Sequence, residues 1–109
     1  DRLGEAIEAI VAIGRRTGFE TCSWGHAGDG NLHATFMHAA GAPPPQSAID
    51  QLFDLAVRLG GSISGEHGLG LMKSGQLRRQ WEPAAVAAHE AIKTALDPKG
   101  LFNPGKKLP

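Results

Sequence analysis

Apolar residues at intervals of three and four mark several stretches of the chain as amphipathic helices. The first of these ends where two arginines precede Gly18, which is the charge and glycine pattern of a helix C-terminus. Ser47, with Asp50 three residues on, has the approximate pattern of a capping box for the second helix. Pro83 suits the first turn of the last helix. The predicted helices span residues 3–16, 47–59, 71–80 and 83–96.

Between the first two helices, two short segments carry the aromatic and β-branched residues typical of strands. They cover about residues 19–26 and 31–38, and residues 27–30 (Ala-Gly-Asp-Gly) have the composition of a tight turn. Residues 62–64 are a candidate for another short strand. Four side chains of the hairpin are predicted to be buried: Cys22, Trp24, Phe36 and Met37. The order of elements favours an α+β fold, in which helices cover one face of an antiparallel sheet as in part of a ferredoxin-like unit.

Composition narrows the class of protein. The 109 residues are 41% hydrophobic and 20% charged, which is typical of one small globular domain. Lys and Arg total 11 and balance 11 Asp and Glu, so the basic surface of a nucleic-acid-binding protein is not expected. The single cysteine, Cys22, excludes an internal disulfide and fits a reducing compartment. Because the chain begins at Asp1 and enters a helical pattern almost at once, we expect it to be part of a longer protein.

Two histidines flank the predicted turn. If residues 27–30 form that turn, Trp24 lies opposite His33, and His26 is a diagonal neighbour of His33 on the same sheet face. Diagonal neighbours have Cβ atoms roughly 7–8 Å apart, which two imidazoles can close onto one ion. A turn one residue longer or shorter would place the two rings on opposite faces. Imidazole is a common ligand for zinc and other transition metals. The hairpin therefore predicts two ligands of a metal site.

A third ligand is expected from an acidic residue elsewhere in the chain. Glu66 is favoured because it lies in a glycine-rich loop, where flanking glycines let the backbone approach another segment closely. Two histidines and one carboxylate also leave coordination positions open for a substrate, as catalytic metal sites require.

Three motifs, taken together, resemble the signatures of a known family. They are GHAGDGNLH at residues 25–33, SGEHGLG at residues 64–70 with Lys73, and DPKGLFNPGK at residues 97–106. In this order they are similar to the C-terminal domain of FAD-linked oxidases in the vanillyl-alcohol oxidase superfamily. That family includes the glycolate oxidase D-subunit, D-lactate dehydrogenases and D-2-hydroxyglutarate dehydrogenase.

The resemblance implies that residues 1–109 are the C-terminal part of a cap domain, whose N-terminal partner domain in the same protein binds FAD. It implies oxidation of a small 2-hydroxy acid to a 2-oxo acid, with hydride transfer to the flavin and onward transfer to an unidentified electron acceptor. A divalent ion, Zn²⁺ or Mn²⁺, is the second implied cofactor, with His26, His33 and Glu66 as its ligands. His67 is implied as the catalytic base. The chain on its own is expected to be inactive.

Further roles follow from the same resemblance. Substrate contacts are implied for Asn31, Thr35 and His67, and a cofactor contact for Asn103. Hydroxyglutarate-type members often have a substrate-contacting Asn at the position of Thr35, so this departure weakens the case for hydroxyglutarate. The expected location is the cytoplasm, with membrane association as an open alternative.

Three other interpretations compete with this one. A related cap domain can serve a flavin oxidase without any metal, although both histidines and the glutamate are retained here. A small α+β module can act in binding or dimerisation without catalysis. A metal-dependent hydrolase would use a metal-bound water, with His67 as an acid or base.

Overall fold

The structure is a computed structural model that describes residues 2–107 of the chain. The described residues form two compact units that divide between Glu66 and His67. The first unit contains two helices and a β-hairpin, and the second contains a short 3₁₀ helix followed by one longer α-helix. The predicted α+β class is confirmed.

Helix α1 spans Leu3–Thr17, where the apolar spacing predicts it. Gly18 ends the helix with φ at 79°, a left-handed conformation that costs glycine little. Ile10 and Ile13 lie on the inner face of α1 and are 2% and 3% exposed. Burying one such side chain contributes roughly 1.5–3 kcal/mol relative to leaving it in water. Helix α1 therefore supplies much of the core of the first unit.

Strands β1 (Glu20–His26) and β2 (Asn31–Met37) form an antiparallel pair joined by a single 3₁₀ turn, Ala27–Asp29, and Gly30. The register pairs Trp24 with His33 and His26 with Asn31. This is the pairing that a four-residue turn predicts. Because side chains alternate along a strand, each residue of the hairpin is assigned to one of two faces.

The inner face of the hairpin packs against the helices, and the outer face is open. Phe36 lies on the inner face and is 7% exposed, as predicted. The burial predicted for three other hairpin residues is wrong. Trp24 and Met37 are each 56% exposed, and Cys22 is exposed as well. Side chains alternate between the two faces along each strand, and all three lie on the same face as the two histidines, which is the outer face. The core cluster consists of Ile10, Ile13, Phe36, Ala48 and Leu55.

Helix α2 spans Gln46–Arg58 and packs against α1. The capping box predicted at Ser47 is wrong, because the helix begins one residue earlier and no side chain caps it. The Ser47 hydroxyl instead accepts a hydrogen bond from the Gln51 amide at 3.4 Å, within the first turns of the helix. Asp50 likewise accepts from the Gln46 amide at 3.1 Å.

Residues 62–64 do not form the strand that their composition favours. The Ser62 hydroxyl donates to the carbonyl of Ser64 at 3.1 Å and lies 3.3 Å from the Ser64 N–H. Local serine bonds of this kind compete with pairing to a neighbouring strand. Ile63 between them is 5% exposed, which fixes this segment to the first unit.

The second unit is built around helix α3, Pro83–Leu96, which begins with proline in its first turn as predicted. The helix predicted over residues 71–80 is shorter than expected: turns lead into a 3₁₀ helix, Gln76–Arg79. Gly75 precedes it with φ at 79°, a conformation that interrupts a regular helix. Leu77 and Val86 are each 4% exposed and form the buried part of this unit. Among residues 2–107, no helix combines the length and apolar character that a membrane crossing requires.

Candidate metal centre

The hairpin holds the two predicted histidine ligands on its outer face. His26 ends β1 and His33 lies near the start of β2, and their ring centroids are 6.0 Å apart in an edge-to-face arrangement. The His33 side chain is 21% exposed and the His26 side chain is 59% exposed. The more buried ring is also the more constrained one, because the indole of Trp24 stacks on it at 5.8 Å with an interplanar angle of 28°.

Glu66, the last residue of the first unit, lies on the same face of the hairpin. Its Oε1 lies 3.2 Å from Nε2 of His33 and 3.7 Å from Nε2 of His26. One donor atom from each of the three residues lies within 4.8 Å of the other two. The structure thus brings together the three residues that the sequence singles out as ligands.

A close backbone contact lets Glu66 approach the hairpin. The Cα of Gly65 lies so near the side-chain amide of Asn31 that an added Cβ would be 2.8 Å from Asn31 Cγ and 3.2 Å from Nδ2. Any side chain at position 65 would therefore force the Asn31 amide or the loop to move. Gly25 meets a similar constraint, because a Cβ there would collide with the backbone of Asn31 and lie 3.1 Å from Cα of Leu32.

The two donor separations from Glu66 suit ligands of one divalent ion. Zn–N distances are about 2.0–2.1 Å and Zn–O distances about 2.0–2.2 Å, so ligand atoms of a tetrahedral site are about 3.3–3.5 Å apart. The two distances from Glu66, 3.2 and 3.7 Å, bracket that value. Two imidazoles and one carboxylate suit Zn²⁺ or Mn²⁺ and leave further coordination positions open.

Comparison with known proteins identifies the family of the chain. Residues 1–107 match the family described as FAD linked oxidases, C-terminal domain. The chain belongs to this family.

Curated relatives of this FAD-linked oxidase C-terminal domain agree with the assignment. The glycolate oxidase subunit GlcD of Bacillus subtilis is 36% identical over 108 residues, covering 95% of this chain and 23% of that protein. D-lactate dehydrogenase of Archaeoglobus fulgidus is 41% identical over 90 residues, covering 82% and 20%. D-2-hydroxyglutarate dehydrogenase of Stutzerimonas stutzeri is 34% identical over 106 residues, covering 92% and 23%. The chain spans less than a quarter of the length of these relatives.

The other predicted site residues of this FAD-linked oxidase domain have defined places. Asn31 pairs with His26, and its side chain lies against Gly65, beside the Glu66 loop. Thr35 is exposed on the outer face of β2. His67 directly follows Glu66 in the chain, is exposed, and is the first residue of the second unit. Their substrate contacts remain predictions.

The third motif of this FAD-linked oxidase domain forms a compact turn after α3. Asp97 is 7% exposed and accepts hydrogen bonds from the N–H groups of Leu101 and Phe102 at 2.9 Å and from the ammonium of Lys93. The Lys93 bond is the main cause that lowers the pKa of the Asp97 carboxyl to about 2, and the two backbone bonds lower it further. Lys93 also donates to the Phe102 carbonyl at 2.7 Å.

This turn presents Asn103, the residue predicted to contact the cofactor. Asn103 is exposed and has a positive φ of 47°, and its carbonyl accepts a hydrogen bond from the Lys106 N–H at 3.2 Å. The cofactor contact itself remains a prediction.

In the second motif, partial burial lowers the pKa of the Lys73 ammonium.

Sequence reasoning misses two contributors to the candidate centre. The hydrophobic character of Trp24 predicts a place in the core, yet the indole packs on a candidate ligand from the outer face. Its parity with His26 is the signal that reveals this position. The family resemblance assigns Asn31 to substrate alone, and its contact with Gly65 follows only from the folded loop.

Proposed function

We propose that this chain is the metal-binding part of the cap domain of an FAD-dependent 2-hydroxy acid dehydrogenase. The complete protein would oxidise a 2-hydroxy acid to a 2-oxo acid. The observation that carries the proposal is the convergence of His26, His33 and Glu66 within 4.8 Å on an open sheet face. Relatives named as glycolate oxidase subunit, D-lactate dehydrogenase and D-2-hydroxyglutarate dehydrogenase support the class of substrate.

The three ligands would hold one ion together. His26 and His33 each present Nε2 toward the same carboxylate oxygen of Glu66, so an ion there would be held from three directions. The open outer face leaves room for the 2-hydroxyl and carboxylate oxygens of the substrate to complete the coordination. When bound, the metal supplies Lewis acidity toward the 2-hydroxyl and the flavin supplies hydride acceptance.

His67 is proposed as the base that takes the proton of the 2-hydroxyl. Oxidation of a 2-hydroxy acid removes one proton from oxygen and one hydride from carbon, so a proton acceptor is needed beside the flavin. An imidazole is suited to that task near neutral pH. Gly68 follows with φ at 71°, so the chain turns immediately after the histidine in a conformation that favours glycine.

Calorimetric titration of the metal-free chain with Zn²⁺ tests the ligand set. We expect binding of one ion per chain, loss of binding in the His26→Ala/His33→Ala variant, and weaker binding in Glu66→Gln. His38→Ala is the matched control, because His38 is an exposed histidine directly after β2 that lies outside the cluster. Failure of the wild-type chain to bind Zn²⁺, or equal loss in the His38 variant, would overturn the assigned ligands.

His67→Ala separates the proposed base from the ligands. In the complete flavoprotein, we expect turnover to fall roughly 10²- to 10⁴-fold, as removal of a general base typically does. Zn²⁺ affinity should stay near that of the wild type. Unchanged turnover would eliminate His67 as the base without touching the metal site.

A further inference from the structure

The outer face of the hairpin carries an exposed indole directly beside the candidate metal centre. Trp24 is paired with His33 across the strands, stacks on its ring at 5.8 Å, and remains 56% exposed. A large apolar surface beside a few convergent polar groups is the usual composition of a small-molecule site. Core packing does not explain this tryptophan, because its inner-face neighbours along β1 point the other way.

The same face carries no lysine or arginine. Beyond the Trp24–His33 pair, the next pair on this face is Cys22 and Thr35, both small and uncharged. None of the eight outer-face positions of the hairpin, all of which the structure describes, is Lys or Arg. They are Glu20, Cys22, Trp24, His26, Asn31, His33, Thr35 and Met37. A second carboxylate packed against the Trp24 indole would lose part of its hydration and meet no lysine or arginine of the hairpin.

We propose that Trp24 forms the apolar wall of the site, and that the wall selects a 2-hydroxy acid with an uncharged side chain over one with a second carboxylate. The inference rests on the proposed function, since the 2-hydroxyl and carboxylate must be held at His26, His33 and Glu66 for the side chain to reach the indole. Stacking on the exposed face of Trp24 then favours aromatic and bulky aliphatic side chains.

The test uses the Zn²⁺-loaded chain and three probes that differ only in the side chain. Glycolate has none, D-3-phenyllactate has an uncharged aromatic one, and D-2-hydroxyglutarate has a charged one. Calorimetry should give D-3-phenyllactate an affinity roughly 2- to 12-fold above that of glycolate, the range expected for one aromatic pair. D-2-hydroxyglutarate should bind no more tightly than glycolate.

Two substitutions and one control assign the preference to the indole. In the Trp24→Ala chain, saturated with Zn²⁺, D-3-phenyllactate should lose its advantage over glycolate. Trp24→Phe should retain most of the preference. Met37→Ala is the matched control, because Met37 has the same exposed fraction on the same face but lies four residue pairs away from His33. It should change nothing.

Several results would overturn the inference. Three results would each contradict the role of Trp24 as an apolar wall. They are an unchanged preference in Trp24→Ala, an equal loss in Met37→Ala, and tightest binding of D-2-hydroxyglutarate. A tenfold or larger loss of Zn²⁺ affinity in Trp24→Ala would make the indole a positioning group for His33 instead. Absence of Zn²⁺ binding in the wild-type chain would refute the proposed function itself, and this inference with it.

Discussion

Gly65→Ala tests whether the close approach of the Glu66 loop to the hairpin sets the geometry of the three donors. The added Cβ would lie 2.8 Å from Cγ of Asn31, whereas ordinary contacts begin at 3.4 Å. The Asn31 amide or the loop must therefore move by about 0.6 Å or more. A loop shift of that size would exceed the roughly 0.2 Å within which metal–ligand distances are held. Loss of such support typically weakens metal binding about 10- to 100-fold, or roughly 1.4–2.8 kcal/mol.

The assay is Zn²⁺ affinity by calorimetry, with Gly28→Ala as the matched control. Gly28 lies in the turn between the two histidines, has no positive φ, and has no atom within 4 Å of an added Cβ. The same substitution there should leave Zn²⁺ affinity within about 3-fold of the wild type, since it creates no collision.

A double variant identifies the cause. If the collision with the Asn31 amide is responsible, Asn31→Ala/Gly65→Ala should recover most of the affinity lost in Gly65→Ala, because the shortened side chain makes room for the new methyl group. Wild-type affinity in Gly65→Ala would refute the reasoning outright. Weak binding that persists in the double variant would show that backbone freedom, and not the contact with Asn31, is what the glycine provides.

Other residues give independent tests of the fold. Gly25→Ala should lower the free energy of unfolding by about 1–3 kcal/mol in urea denaturation, because its Cβ would collide with backbone of the facing strand; an unchanged midpoint would contradict this. Ile10→Ala should cost about 2–5 kcal/mol and Ile7→Ala, at 42% exposure, much less; equal costs would refute the packing. Asp97 is stabilising while ionised, because its pKa is held below the ordinary 3.8, chiefly by Lys93. That contribution is complete above about pH 4–5 and is lost as the pH falls towards 2, so melting temperatures of the wild type and Asp97→Asn should differ at pH 7 and converge in acid.

The hairpin is predictable in detail because its turn is local. A four-residue turn of alanine, glycine and aspartate fixes which residues pair, and pairing then fixes which side chains share a face. The turn length alone therefore places the two histidines side by side. The same parity argument, applied to Trp24, predicts exposure, whereas its hydrophobic character suggests the core. Periodicity is the better guide for this tryptophan, because α1 and α2 cover only one face of the two strands.

Contacts between distant segments cannot be predicted in the same way. Glycines beside Glu66 indicate that the loop approaches another segment, but the partner, the Asn31 amide, is set by how α2 returns the chain to the hairpin. The short strand at residues 62–64 fails for a related reason: two serines satisfy each other locally and leave the backbone out of the sheet. Helix α2 begins at Gln46 because the preceding prolines, and not a serine cap, determine where helical backbone starts.

The distance in sequence between His33 and Glu66 has a consequence for folding. Residues 34–65, which include all of α2, connect two ligands of one candidate site. An ion held at both ends would close this stretch into a ring and restrict the unfolded chain, much as a cross-link does. Helix α2 supplies no ligand, yet its unfolding would then either release the ion from one of these ligands or take place within the closed ring. Amide exchange in α2 should therefore slow as the proposed site fills, so that a bound ion would lengthen the lifetime of the folded unit.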